Sequence, residues 1–189
     1  MKNSKLILLF VILTLSTSGY VKAQFKSETR TAKVSFRSQT PIEEFYSENN
    51  QVASILKVDG KKKVLAFNVI MRSFKFDKAL MEEHFNEKYV HSEKYPTAKF
   101  VGEFAEDIDL TTPGKYKNIS ISGTMTLHGV SRTVTVPVDL EVGKNNEIKG
   151  HATFKIKPEE FNIEIPKLVS EKISREIVVT VDALYKPAR

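Results

Sequence analysis

The sequence has no cysteine and no tryptophan, and only 8 glycines and 7 prolines among its 189 residues. Without cysteine there is no disulfide, so in an oxidising compartment the core alone must hold the fold. Anchoring through a lipidated cysteine is excluded, and any zinc site would need histidines with carboxylates. Past the first 23 residues no run approaches the ~18 apolar residues that read as a membrane-spanning helix. Strong charge of one sign is also missing. The formal net charge is +6, and without Lys2, Lys5 and Lys22 it falls to +3. No basic stripe interleaves with aromatics, which argues against a nucleic-acid partner. The run Lys61-Lys62-Lys63 follows Asp59-Gly60 and reads as a solvated turn.

What is present begins with a secretory pattern. Lys2 and Lys5 precede the apolar run Leu6 to Leu15, which is too short to cross a bilayer. Val21-Lys22-Ala23 then offers small residues where signal peptidase reads. The expectation is a signal peptide over residues 1–23, cleaved after Ala23, and one domain over residues 24–189. The location would be periplasmic or secreted.

The dominant period after Gln24 is two. Ala32, Val34 and Phe36 alternate with polar residues. So do Leu65, Phe67, Val69 and Met71; Ile119 to Leu127; Val130 to Val142; Ile148 to Ile156; and Ile177 to Ala183. Alternation marks strands with one apolar face. Asp59-Gly60, Pro113-Gly114 and Gly143 to Asn146 supply turn chemistry between runs. This predicts about eight antiparallel strands in a sandwich or barrel. Residues 77–90 break the rhythm, with Leu80, Met81, His84, Phe85 and Lys88 at helical spacing and Asp77 placed to cap the first turn. The strand from Val64 to Met71 is apolar on both faces, so that helix is expected as its cover or as a lid. A second short helix is expected over Lys167 to Ile173.

Chemistry is sparse. His84, Glu87 and His91 share a helical face but match no metal signature. Ser131 lies near His128, yet neighbours on an extended strand make no nucleophile–base pair. Glu159 and Glu160 point apart on a strand. No G-x-S-x-G, H-E-x-x-H or phosphate-cradling loop occurs. No catalytic residue, metal or cofactor is assigned. Asn118-Ile119-Ser120 is a chance-level glycosylation triplet on a polar strand face. The aromatic supply says more: 12 Phe and 6 Tyr fall in or beside the strands and helix. A barrel of about eight strands is either just filled by side chains or holds one small ligand. Small residues facing inward would favour a cavity, and Ala98, Gly102, Gly123, Gly150 and Ala152 are the candidates.

Three segments carry a family resemblance. Tyr95-Pro96-Thr97-Ala98-Lys99-Phe100 is similar to a Y-P-x-A-x-F strand. Gly123-Thr124-Met125-Thr126-Leu127-His128-Gly129-Val130-Ser131-Arg132 resembles a G-x-L-T-x-H-G-V-T-K strand and turn. Phe161-Asn162-Ile163 resembles a late D-F-G-I element. In order and spacing, over roughly residues 27–186, the chain resembles the YceI family. The departures are two: Thr31 to Arg37 lacks the histidine of an H-S-x-V-x-F first strand, and Met81 to Tyr89 replaces an S-x-D-F-F-D stretch. The resemblance implies an all-β, lipocalin-like antiparallel barrel with an elongated apolar tunnel, and a periplasmic protein that holds a polyisoprenoid; the helix over residues 77–90 would be its lid.

The resulting expectation is a binding protein for a polyisoprenoid or isoprenoid quinone-like lipid, acting as carrier or store, and not an enzyme. Membrane contact would be transient and no segment would span. The expected ligand-binding residues are Phe67, Val69 and Met71 on one strand and Phe100 and Phe104 on another. Gly123, Met125, Leu127, Val136 and Phe154 come from later strands, and Met81 and Phe85 from the helix. The alternatives are a packed barrel that binds a partner protein through its edge or loops, and an enzyme acting on an apolar substrate in the same cavity.

Overall fold

The computed structural model describes residues 22–27 and 32–187. The expected signal peptide therefore falls largely outside the described residues. The strands are β1 (Lys22–Ser27), β2 (Lys33–Gln39), β3 (Glu44–Asn49), β4 (Val52–Asp59), β5 (Lys62–Ile70), β6 (Lys75–Phe76), β7 (Thr97–Phe104), β8 (Gly114–Leu127), β9 (Val130–Val142), β10 (Ile148–Ile156) and β11 (Ile177–Pro187). One α-helix, α1 (Ala79–His84), lies between β6 and β7.

All strands belong to one antiparallel sheet ordered β1-β4-β5-β7-β8-β9-β10-β11-β2-β3-β6, and β1 also pairs with β11. That extra pairing brings the ladder back to its start as a barrel. There are eleven strands among the described residues instead of about eight, because long strands are interrupted. β1 and β2 lie along the same edge of β11, with Ser27 opposite Tyr185 and Lys33 opposite Asp182. Only Asn50-Gln51 separates β3 from β4. There the buried Asn49 side chain donates to Ile70 O at 2.7 Å and accepts from Gln51 N at 2.7 Å. A 3-10 turn, Met71–Ser73, separates β5 from β6.

The alternation read from the sequence is the alternation of burial: along β4, Val52, Ser54, Leu56 and Val58 are buried and their neighbours are not. Apolar side chains thus leave water on the inner face, and that transfer drives the closure.

Antiparallel pairing sorts the connections between two ends. Residues 40–43, the α1 segment, the His128-Gly129 turn and residues 157–176 share one end. Residues 60–61, 105–113 and 143–147 share the other. The second end is closed. Ile108 and Leu110 are buried there, and Tyr116 Oη donates to Asp109 O. The Asp109 carboxyl is pushed down to about 2, chiefly by the Thr111 hydroxyl that donates to it. Lys63 departs from its expected solvated turn. It is only 4% exposed, because it sits on the inward face of β5 and its ammonium donates to Asp107 Oδ1 at 2.9 Å. That bond holds the Asp107 carboxyl below its usual range.

The helix is shorter than residues 77–90. Its α-helical part ends at His84 and a π-helical turn, Phe85–Tyr89, continues it. Lys78, not Asp77, occupies the cap position, and no side chain caps it. Tertiary contact compensates: the Phe85 ring lies 5.2–5.5 Å from the rings of Phe36, Phe74 and Phe76. The second expected helix is only a 3-10 turn, Lys167–Val169.

Candidate functional site

Inside the barrel lies a cavity of about 450 Å³ with almost wholly apolar walls. This is the size range of small-molecule pockets. It runs from α1 and the 157–176 loop at the open end to Tyr185 and Leu140 near the closed end.

The strands expected to line a cavity do so. Phe67, Val69, Met71, Phe100, Phe104, Met125, Leu127, Val136 and Phe154 all face it. Met81 of α1 and Phe85 of the π-helical turn bring this segment over the mouth, in the position of a lid. Gly123 is the exception. A Cβ there would lie 2.2 Å from Val101 O and 2.3 Å from Gly102 Cα. Its position is taken up by the β7 backbone, and it offers no wall to the cavity. Gly102, its register partner, is covered by the Phe100 ring, whose Cζ would be 2.6 Å from an added Cβ. Ala98, Gly150 and Ala152 do border the cavity.

Further wall residues were not anticipated. Val34 and Phe36 of β2 and Tyr185 of β11 line the space; the first two were visible in the alternation. Ile165, Val169 and Ile173 line it from the 157–176 loop. Their four-residue spacing, beginning just before Pro166, was the available signal.

Polar groups in the wall are few. Ser38 Oγ accepts from Ser174 N at 2.9 Å. Glu43 faces Lys172 at 3.8 Å. His84 Nε2 lies 3.1 Å from Lys88 Nζ, while His91 turns to His128, so the suspected His84-Glu87-His91 face does not converge. Among the described residues, no group of three or more potential metal ligands comes together. Ser131 Oγ lies 2.8 Å from Thr126 Oγ1, so it engages a threonine and not His128.

The segments that carried the family resemblance meet at the open end. β8 and β9 join through the two-residue turn His128-Gly129, with φ of 51° and 75°, the twist that a tight hairpin favours. His128 Nδ1 lies 3.1 Å from Phe161 O, so it carries the proton. Nε2 then accepts from His91 Nδ1 at 2.8 Å. Tyr95 meets the His128 ring edge-on at 4.5 Å. A Cβ at Gly129 would lie 2.5 Å from the Tyr95 ring, so glycine is required there. The Tyr-Pro, His-Gly-Val and Phe-Asn-Ile segments form a single clasp linking the lid segment, a hairpin and the final loop.

The YceI-like domain model matches residues 15–184. The chain belongs to this family. Its fold is similar to BcnA of Burkholderia cenocepacia, with a TM-score of 0.71 and 18% identity over 84% of this chain and 98% of that one. A polyisoprenoid binding domain from Saccharophagus degradans, implicated in plant cell wall breakdown, superposes with a TM-score of 0.69 and 13% identity over 87% and 98% of the two chains. The YCEI protein of Campylobacter jejuni gives a TM-score of 0.57 and 16% identity over 100% and 99%. No curated protein sequence matches. At these identities the structures show the shared fold, an all-β antiparallel sheet with a short helix. No helix among the described residues is long and apolar enough to cross a membrane.

Proposed function

We propose that this YceI-like chain is an exported binding protein that holds one long apolar lipid, a polyisoprenoid or isoprenoid quinone-like chain, in the barrel lumen as carrier or store. The observation that carries the reading is the cavity of about 450 Å³ with apolar walls from end to end. Protein interiors pack like organic crystals, and voids larger than a water are few. The atoms that line an empty apolar void lose their contacts on one side. A branched hydrocarbon chain restores them and contributes about 0.8 kcal/mol for each buried CH₂. The name of the Saccharophagus degradans domain points to the same ligand class.

The cavity speaks against a packed barrel that works only through its outer surface. The wall also lacks a nucleophile beside a base, and at the mouth Glu43 is paired with Lys172. This supports binding over catalysis. The signal-like residues 1–23 support export to the periplasm or beyond.

The test is native mass spectrometry of the mature protein purified from its own host, with extraction and identification of what is released. A stoichiometric apolar lipid is expected. Protein of bare polypeptide mass that takes up no added polyprenol would overturn the reading.

A further inference from the structure

Six large hydrophobic residues are exposed among the described residues; Tyr46 and Val101 stand singly on β3 and β7, and the other four gather at the open end. Ile42 is 62% exposed, Ile70 41%, Leu80 60% and Leu168 94%. Each immediately precedes a residue that lines the cavity: Glu43, Met71, Met81 and Val169. They come from four separate elements, and all four elements reach the open end. The connections at the closed end carry no exposed large hydrophobic among the described residues. Single exposed aliphatics are ordinary on a protein surface. Four at the mouth end of one apolar cavity form a collar there.

The charges between them choose the partner. Lys78, Lys167 and Lys172 stand among Asp77, Glu83 and Glu171. Glu43 is paired with Lys172, and Lys75 with Glu82. Attraction to an anionic lipid surface needs a cluster of basic residues, and the collar has none. Both signs alternate, as they do on a zwitterionic headgroup that carries an ammonium and a phosphate. Apolar side chains with a polar surround are the means by which proteins lie on a bilayer without spanning it.

We infer that the collar of Ile42, Ile70, Leu80 and Leu168 docks the open end onto a zwitterionic phospholipid bilayer, and that the lumen exchanges its apolar chain with the membrane there. The exchange rests on the proposed lipid-binding function; the docking does not.

The experiment is flotation of the mature protein with phosphatidylcholine vesicles at low and high salt, for wild type and for Ile42→Ser/Leu80→Ser/Leu168→Ser. These side chains are exposed, so the variant keeps the fold, which unchanged thermal unfolding verifies. Wild type should float, with little effect of salt. Losing one inserted aliphatic should lower partitioning at least tenfold, since the burial of each contributes about two or more CH₂ equivalents, and the triple variant should stay in solution. Its lumenal lipid should remain after purification. Wild type that ignores phosphatidylcholine vesicles overturns the docking, whatever lipid it contains. So does wild type that binds only phosphatidylglycerol vesicles and is released by salt, or a triple variant that floats as before. Loss of a crosslinked partner protein in the triple variant, without any vesicle binding by wild type, would assign the collar to a protein interface and also overturn the docking. Flotation by a wild type that carries no lumenal lipid and accepts none would uphold the docking and sink the exchange and the lipid-binding function together.

Discussion

Tyr185 Oη lies 2.8 Å from Ser54 Oγ inside the barrel, and the bond spans a strand. Ser27 of β1 is the register partner of both residues, so the phenol reaches past β1 to tie β11 to β4. Ser54 Oγ also donates to Ala66 O at 2.9 Å. The proton between Ser54 and Tyr185 is therefore the tyrosine's. This clamp sits where the first and last strands of the barrel meet.

The donor assignment makes the two partners unequal. Tyr185→Phe removes a donor and leaves the serine hydroxyl satisfied by Ala66, so it should cost only about 1 kcal/mol. Ser54→Ala strands a buried phenol, which costs about 1–3 kcal/mol. In thermal unfolding, each kcal/mol corresponds to about 2–4 °C for a domain of this size. Burial raises the Tyr185 hydroxyl above its ordinary value of 10.0. Above pH 10 the unfolded chain releases this proton while the folded chain keeps it, so unfolding releases a proton and rising pH favours it. Stability contributed by the neutral phenol is thus whole below pH 10 and falls as pH climbs beyond it. Denaturation curves at pH 9 and pH 11 should show a smaller loss for Tyr185→Phe than for wild type. Equal losses would show that Tyr185 takes no part.

Gly123 leads to a second expectation. With β7 backbone 2.2–2.3 Å from where its Cβ would stand, even Gly123→Ala must push two paired strands apart. Overpacking of this kind costs about 1–3 kcal/mol and sometimes more. Gly114→Ala is the control, since its added Cβ would meet nothing nearer than 3.7 Å. Urea unfolding midpoints should separate the two variants clearly. Near-wild-type stability of Gly123→Ala would mean that the strands stand further apart than described.

Period-two alternation made the barrel legible, because one residue of slip would turn an apolar face to water. It marked Phe67, Val69, Met125 and Leu127 as facing one way. It did not distinguish Gly123 from its neighbours, since a residue without a side chain carries no face and the close approach of β7 is a tertiary fact. The buried Lys63 was hidden for a related reason. It follows two other lysines in a turn-like context, and the carboxylate that compensates its burial, Asp107, stands 44 residues later. The lid was legible as a helix from its spacing. Its π-helical second half was not, because what holds Phe85 is a ring cluster drawn from β2 and from the segment after β5. The collar of exposed aliphatics escaped notice because its members belong to elements distant in the chain.

Filling the lumen separates a ligand cavity from a packed core. Ala152 sits mid-strand in β10 between Val138 and Val181, and its methyl group borders the cavity. Ala152→Phe places a ring where the lipid would run. In a packed core this enlargement costs about 1–3 kcal/mol, because side chains leave their rotamers and backbone must shift. In a cavity of about 450 Å³ the ring replaces contacts that the lipid would make, so the apo protein should lose less than about 1 kcal/mol, or 2–4 °C in Tm. The comparison must use delipidated protein, since a ligand bound only to the folded state adds its own stabilisation. Polyprenol uptake, followed by mass spectrometry, should fall at least tenfold in Ala152→Phe. A variant that unfolds several degrees lower and still takes up the lipid would show that Ala152 faces packed side chains and that the chain runs elsewhere. Uptake lost at nearly unchanged apo stability would place the lipid along β10, between Phe154 at the mouth side and Tyr185 at the closed end.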